Sequence, residues 1–386
     1  MFRIRSNKLK SGDGSIYIKS TDNLMVKVIF LIVFMLPIDA FEKYGISIDL
    51  FVFSAFMLVY ILYYILQNRK LKYRHIYFML FIVFFSFIDK SLYHVHLIGI
   101  IIVDLLISNK KIKRYILNRK TIILSISMSV IYSILYFGEG SRYIYTGLKS
   151  PNQSGLALFM LFSIVRTYNK KVGNVLLLLG LLSFSKSYLL ALIIVEVTNF
   201  INKRFNFKIP KNIFIKLGVL SIILLVFLSS LFNYLYNTNN LSGYATGLNR
   251  YITIFDYSNY HRFNVNTNLL KIYINEPNKL LTGLEFEEFY EKSREISLKQ
   301  NTPWGVIKPH NYFFSYILIY GIFSIIIFAY INKIFNQIIC KENLGIFLAI
   351  FSYITFLGMG VSSYLLFLSV FVMIAYYKTD EGECNV

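Results

Sequence analysis

The sequence predicts an all-α polytopic membrane protein with about 12 transmembrane helices and one long extracytoplasmic loop. Of its 386 residues, 56% are hydrophobic and 18% are aromatic, which is more apolar than a soluble domain. The apolar residues form runs long enough to enter or cross a bilayer. The 40 Lys and Arg residues lie mainly between these runs. The net charge of +20 therefore indicates membrane topology, and no nucleic-acid partner is expected.

The predicted membrane-spanning runs form two groups. Residues 1–236 make an N-terminal bundle of about nine helices, and residues 312–386 make about three more helices with a short cytoplasmic tail. The runs are 24–38, 46–66, 76–88, 91–108, 121–137, 156–168, 172–184, 188–201, 217–236, 312–331, 343–357 and 361–377. The short pairs that meet near Asp89 and near Lys186 also fit re-entrant segments.

The distribution of charge predicts the orientation. Connections 67–75, 109–120 and 202–216 carry four, six and five Lys or Arg residues and no acid, which places them in the cytoplasm by the positive-inside rule. The long loop, 237–311, balances eight Lys and Arg against seven Asp and Glu. We therefore expect a plasma (inner) membrane protein with both termini in the cytoplasm and the long loop outside.

The long loop contains two amphipathic patterns. Leu269 and Tyr273 share one face of a helical pattern that Pro277 ends, and Phe289 and Ile296 recur at helical spacing farther along. These patterns predict short helices that lie on the outer membrane surface.

Basic side chains gather in the predicted outer connections. Arginine binds phosphate with two parallel hydrogen bonds and lysine binds it as a point charge, so converging cations suit a lipid-linked diphosphate. A single cation of this kind also fits a structural pair with a headgroup or a carboxylate. The candidates are Arg142, Lys186, Arg250, Arg262 and Arg294.

His310 follows Pro309 at the predicted outer end of run 312–331. A neutral imidazole there suits a general base, and it equally suits a helix cap or an interface anchor. His94 and His96 are two residues apart and do not share a helix face, so no metal site is predicted. Without a glycine-rich phosphate loop or a nucleotide-binding unit, no cofactor is predicted either.

Three acids fall within apolar runs, where an ionisable residue is a functional candidate by default. Asp49, Asp104 and Glu196 each lie near the end of a run. A carboxylate in that position reaches water or a basic neighbour, so structural pairing is the preferred interpretation.

Several short motifs resemble those of the O-antigen ligase and polymerase family. Ser150 to Gly155 (SPNQSG) resembles the family's Pro-Asn-x-x-Gly turn, and Ser185-Lys186-Ser187 resembles its Ser-Arg-Gly outer hairpin, with lysine in place of arginine. In the long loop, Arg262 is followed by Glu276-Pro277 and by Gly283, which resembles the family's arginine followed by a helix, a proline and a glycine. The second glycine that the family often has beside the first is missing here. Pro309-His310-Asn311 with Gly321 resembles the His-Asn motif, the most specific of the set.

The resemblance implies a polysaccharide polymerase that acts at the outer face of the membrane for capsule, exopolysaccharide or O-antigen. It would be a metal-independent inverting glycosyltransferase that moves a glycan from undecaprenyl diphosphate to another lipid-linked repeat unit. Arg262 and Lys186 would bind the diphosphate, helped by Arg250, Arg142 and Arg294, and His310 would be the base. Membrane lipids and the pathway's flippase and chain-length regulator would be partners.

Two alternatives stay open. An O-antigen ligase would transfer the finished glycan to a different acceptor. A lipid-linked oligosaccharide flippase or other carrier would need a comparable number of helices, but it would place ionisable residues at mid-membrane depth and have short loops on both sides.

Overall fold

The structure is a computed structural model that describes a large part of the chain. It covers residues 61–62, 71–89, 97–107, 151–168, 170–182, 185–205, 208–243, 249–299 and 311–356, with Val59, His94 and Ser127. These residues are mostly helical and contain no β-strand; a single β-bridge joins Ser242 to Asp256.

Thirteen α-helices are numbered here along the described part of the chain. They are α1 (Tyr73–Ile88), α2 (Ile98–Ile107), α3 (Pro151–Tyr168), α4 (Lys170–Leu182), α5 (Lys186–Arg204), α6 (Ile213–Asn237), α7 (Asn249–Ile252), α8 (Tyr257–Asn275), α9 (Lys279–Thr282), α10 (Phe286–Lys299), α11 (Tyr312–Tyr320), α12 (Ser324–Ile338) and α13 (Leu344–Phe356). A 3-10 turn, Gly321–Phe323, joins α11 to α12.

By length and composition, two helical stretches among the described residues are apolar enough to cross a membrane, Ile213–Asn237 and Tyr312–Ile338, and the second is interrupted by a turn at Gly321–Phe323. Large apolar side chains are also exposed in a stripe along α1, between 42% and 83% for Tyr73, Ile76, Leu80, Phe84 and Phe87. Residues spaced by three or four lie on one side of a helix. This stripe is typical of a surface that contacts lipid or another apolar partner.

Most predicted runs that the structure describes are helices close to the expected positions. Run 217–236 is α6, and run 343–357 is α13. Run 156–168 starts earlier than expected, because Pro151 to Gly155 form the first turns of α3 and not an outer loop. Proline favours the first helical position, since its missing N–H has no partner there. Runs 24–38 and 361–377 lie outside the described residues.

The run 312–331 is not one straight helix. The Phe313 and Phe328 rings are 5.1 Å apart between centroids, although a continuous helix would separate residues 15 apart by about 22 Å. Gly321 has φ +53°, and the chain reverses there so that α11 packs against α12. Hydropathy could not foresee this reversal, because both arms of the turn are apolar.

The helix α8 packs along α6 and does not lie apart from the bundle. The Tyr236 and Tyr260 rings stack with centroids 4.2 Å apart, and those of Phe232 and Phe263 with centroids 5.0 Å apart. The Ser229 hydroxyl donates to the Phe263 carbonyl oxygen at 3.3 Å. The expected helix exists, but this face of it contacts protein where a membrane surface was predicted.

The segment after α8 fits into the turn between α11 and α12. Gly283, at φ +81°, lies so close that an added Cβ would be 2.0 Å from the Ile319 carbonyl oxygen. A Cβ on Gly321 would be 2.7 Å from the Gly283 nitrogen. The Leu284 N–H donates to the Leu318 carbonyl at 2.7 Å, which gives this helix-end carbonyl a partner. Only glycine fits at either position.

A buried polar cluster joins α1 and α2 to α12, and it is called the bundle cluster. Asp104 is 1% exposed and accepts hydrogen bonds from the Arg74 guanidinium, from His75 at 2.9 Å and from the Tyr330 hydroxyl at 3.0 Å. Asp104 is therefore paired structurally, as the sequence predicts. Glu196 is paired too, with Arg166 at 3.0 Å, and Asp49 lies outside the described residues.

Candidate functional site

Lys186 reaches from the bundle into the long loop. It is the first residue of α5, behind Ser185, whose hydroxyl oxygen caps the helix by accepting from the Tyr188 N–H at 3.3 Å. Its ammonium donates to the Asp256 carboxylate at 3.0 Å and to the Thr253 carbonyl oxygen. The predicted outer hairpin is thus bound to the loop at a position 70 residues away in sequence.

Asp256 is the N-cap of α8. Its second carboxylate oxygen accepts from the Asn259 N–H at 2.9 Å, the usual N-cap contact for aspartate. Ser242 holds the backbone beside it, since its N–H donates to the Phe255 carbonyl and its carbonyl accepts from the Tyr257 N–H. Asp256 is only 2% exposed, so its charge faces Lys186 in a poorly hydrated place.

Arg262 lies in the second turn of α8. Its guanidinium donates to the Asn259 side-chain oxygen at 3.5 Å, which is long for a hydrogen bond, and the residue is half-buried. Asp256, Asn259 and Arg262 are spaced by three residues, so they follow one side of the helix. Together with Lys186 they form what is called the loop cluster.

The other predicted site residues are placed as follows. Arg250 is in the short helix α7, three residues before the Thr253 carbonyl that Lys186 contacts. Arg294 is exposed on α10. His310 and Arg142 lie outside the described residues. The structure thus brings Lys186 and Arg262 into one cluster, with the backbone around Arg250 beside it.

Asn311, the residue after the predicted base, has a fixed position in the bundle. It is 0% exposed, and its side-chain oxygen caps α11 by accepting from the Phe314 N–H at 2.9 Å. Its amide nitrogen lies 3.4 Å from the Ser221 hydroxyl on α6. Asparagine in the His-Asn motif therefore has a structural role here, since it starts a helix and ties it to α6.

The glycines of the recognised motifs lie at close contacts between segments. A Cβ on Gly155 would be 2.7 Å from the Cβ of Ser185, so the Pro-Asn-x-x-Gly segment packs on the turn that carries Lys186. Gly283 packs on the turn at Gly321, as described above. The motifs noted in the sequence thus meet in pairs, although they are far apart along the chain.

Tyr273 secures the far end of α8. Its hydroxyl donates to the Ile317 carbonyl at 3.1 Å and to the Leu318 carbonyl, at the end of α11. Burial raises the pKa of this phenol well above its usual value, so the hydroxyl stays protonated and remains a donor. Burial also raises the pKa of Tyr260, near the start of the same helix.

Sequence reasoning missed the anion of the site. Asp256 stands directly before a helical pattern, which is a recognisable N-cap signal. Its pairing with Lys186 had no local signal, because that contact depends on how α5 and α8 are placed by the bundle. Asn259, the neutral residue of the loop cluster, was also not singled out.

The loop cluster combines one carboxylate with two cations. Lys186 pairs with Asp256, and Arg262 donates to the Asn259 amide oxygen. Such an arrangement favours an anionic ligand, and a guanidinium suits a phosphate group geometrically. Among the described residues, no group of three or more His, Cys, Asp or Glu side chains is placed to bind a metal ion.

The chain was compared with known protein families, curated proteins and solved structures. No protein-family model, curated protein or solved structure matches the chain, so the resemblance to the O-antigen ligase and polymerase family stays a prediction from the sequence motifs.

Proposed function

We propose that this protein is a polysaccharide polymerase at the outer face of the plasma membrane. Its substrate would be a glycan on polyprenyl diphosphate, and its acceptor a second lipid-linked repeat unit. The observation that carries the proposal is the loop cluster, in which Lys186 and Arg262 are linked through Asp256 and Asn259. The guanidinium and the ammonium of this cluster suit the diphosphate of such a substrate.

The proposed reaction is a single displacement at the anomeric carbon. His310 takes the proton of the acceptor hydroxyl, whose oxygen forms the new bond to that carbon. The bond between the carbon and the diphosphate oxygen breaks, and the electron pair leaves with the diphosphate. Arg262 stabilises the charge that develops there. One displacement inverts the anomeric configuration.

In this proposal Lys186 orients the site as well as adding charge. Two of the three ammonium protons of Lys186 have partners in Asp256 and the Thr253 carbonyl. These contacts fix the start of α8 against α5 and thereby the position of Arg262. The ammonium keeps a third donor that suits a phosphate oxygen.

The membrane setting rests on two kinds of support. The helix Ile213–Asn237 is long and apolar enough to cross a bilayer, and α1 exposes an apolar stripe. The placement of the long loop outside follows from its balanced charge and from the basic connections elsewhere.

The deciding experiment is the glycan ladder of a deletion strain complemented with variants. Wild type should restore the ladder, whereas His310→Ala and Arg262→Ala should leave single repeat units although their membrane levels are normal. Lys271→Ala, an exposed lysine on the same helix as Arg262, is the matched control and should restore the full ladder. A normal ladder from His310→Ala would refute the base assignment. A normal ladder in the deletion strain itself would refute the function.

A carrier for lipid-linked oligosaccharides is the second candidate, and one observation favours it. Ionisable groups are buried within the bundle: besides the bundle cluster, the His94 ring bonds to the Asp89 carboxylate at 2.7 Å and to the Tyr320 hydroxyl at 2.8 Å. Buried ionisable chains are typical of transporters. Vesicles that contain only this protein and translocate a lipid-linked repeat unit would establish the carrier. Transfer of a finished glycan to another acceptor would establish the ligase.

A further inference from the structure

Asn266 is a buried amide without a hydrogen-bond partner. It lies in the middle of α8 and is 1% exposed. Neither its side-chain oxygen nor its nitrogen has a partner in the part of the chain that the structure describes. Because nearly all buried polar groups in proteins are paired, an amide with both atoms unpaired requires an explanation.

Other asparagines of the same helix do have partners. Asn259 is bonded to the Ile254 carbonyl at 2.8 Å, Asn264 donates to the Tyr260 hydroxyl at 3.4 Å, and Asn268 donates to Asn264 at 3.1 Å. These three residues are less buried than Asn266 and are nevertheless satisfied. Asn266, the most buried of these asparagines, is therefore the one for which an unpaired amide costs the most free energy.

The position of Asn266 connects it to the loop cluster. It follows Arg262 by four residues, so it lies on the same side of α8, about 6 Å farther along the helix axis. The ridge Asn259, Arg262, Asn266 thus continues the row that begins at Asp256. A ligand whose diphosphate is bound at Arg262 would have its next chemical group near Asn266.

The chemistry of that next group follows from the two unpaired atoms. The amide needs an acceptor for its N–H groups and a donor for its oxygen. Phosphate oxygens supply only acceptors, and a prenyl tail supplies neither. A sugar hydroxyl both donates and accepts, so vicinal hydroxyls satisfy both atoms of the amide.

We propose that Asn266 binds the sugar attached to the diphosphate, as a specificity-determining residue of the same site. This inference rests on the proposed function. Since the amide is almost inaccessible, a sugar reaches it only after a local displacement of its neighbours. The unpaired amide raises the free energy of the ligand-free state, and pairing on binding removes that penalty, which favours the complex.

The test compares two ligands on purified protein in detergent. They are undecaprenyl diphosphate and the lipid-linked single repeat unit extracted from the deletion strain. Asn266→Leu should weaken binding of the repeat unit about tenfold and leave binding of undecaprenyl diphosphate unchanged, because one good polar contact corresponds to about that factor. Arg262→Ala should weaken both. Asn268→Leu, the matched control with a paired amide, should change neither.

Thermal stability without ligand provides an independent measurement. Replacing an unpaired buried amide by an apolar side chain of similar shape should raise the melting temperature by about 2 °C, whereas Asn268→Leu should lower it. Asn266→Ala is the second variant in case leucine is too large, and it should show the same selective loss of repeat-unit binding.

The outcomes separate the two proposals. If Arg262→Ala leaves both affinities unchanged, the proposed function fails. If Arg262→Ala weakens both but Asn266→Leu and Asn266→Ala bind the repeat unit as tightly as wild type, the sugar contact is refuted while the function stands. A lower melting temperature for Asn266→Leu and Asn266→Ala, with unchanged ligand selectivity, would show that the amide has only a structural partner such as an ordered water.

Discussion

The bundle cluster and the loop cluster are built on similar acids but have different compositions. Asp104 and Asp256 have side chains that are 2% and 3% exposed, and each pairs with a partly exposed cation, Arg74 or Lys186. Around Asp104, His75 and Tyr330 are further donors among the described residues. Beyond Asp256 comes a second cation, Arg262. The first arrangement ties helices together, whereas the second also contains the cations that we propose to bind the substrate diphosphate.

The largest loss of stability is expected for Asp104→Ala, in the bundle cluster. Asp104→Ala removes the acceptor of three donors inside the bundle, and breaking a buried ion pair costs about 3–5 kcal/mol. We expect severe loss of membrane level and of thermal stability in detergent. The matched control is Glu196→Ala, because the side chains of the Arg166–Glu196 pair are 43% and 62% exposed and the change should be close to neutral. Equal effects of the two substitutions would contradict the structural role of the bundle cluster.

The contact between the loop and the turn at Gly321 should come next in size. Gly283→Ala adds a Cβ at 2.0 Å from the Ile319 oxygen and forces alanine to φ +81°, so a loss of about 2–3 kcal/mol is expected. Limited proteolysis should then cut the long loop faster than in wild type. Gly243→Ala is the control, since nothing lies within 4 Å of its added Cβ. Unchanged proteolysis of Gly283→Ala would mean that the loop does not depend on this contact.

Asp256→Asn separates the charge of Asp256 from its role as the N-cap of α8. Asparagine keeps the N-cap of α8 but removes the negative charge beside Lys186, so stability should fall by about 1–2 kcal/mol. The same change removes the negative charge that faces Lys186, so binding of undecaprenyl diphosphate should stay equal or become tighter, and more sensitive to salt. Asp256→Ala loses the cap as well and should be less stable than Asp256→Asn. Weaker diphosphate binding in a stably folded Asp256→Asn would indicate that the cluster does not act by its charge.

The smallest expected effect concerns the pair that holds α9 to α10. Lys279 donates to Glu288 at 2.6 Å, and this hydrogen bond raises the pKa of the lysine above its usual value. A raised lysine pKa means that the stabilisation is complete below the ordinary lysine pKa and is lost as pH rises through the raised value. Lys279→Gln should therefore cost about 0.5 kcal/mol at neutral pH, given the partial exposure of the pair. The difference from wild type in thermal denaturation should vanish in strongly alkaline buffer, and a difference that persists there would exclude the ion pair as its cause.

Local patterns in the sequence determined a large part of the secondary structure. Hydrophobicity predicts the long apolar helix α6, and helical periodicity predicts the amphipathic helices α8 and α10. Proline chemistry predicts the end of α8 before Pro277. The structural pairing of Asp104 also followed, because a carboxylate near the end of an apolar run needs a donor. Gly283 and Gly321 could be named from motifs, and their positive φ values explain why glycine is present.

The tertiary structure alone decided how these elements meet. Residues that are far apart in the sequence meet at two places. The segment around Gly283 packs against the turn at Gly321, and Lys186 pairs with Asp256. Hydropathy and helical period describe only the few residues around each position, so they contain no information on direction or on distant partners. Only the packing of the helices decides that Lys186 pairs with Asp256 and that the Asn266 amide has no hydrogen-bond partner among the described residues.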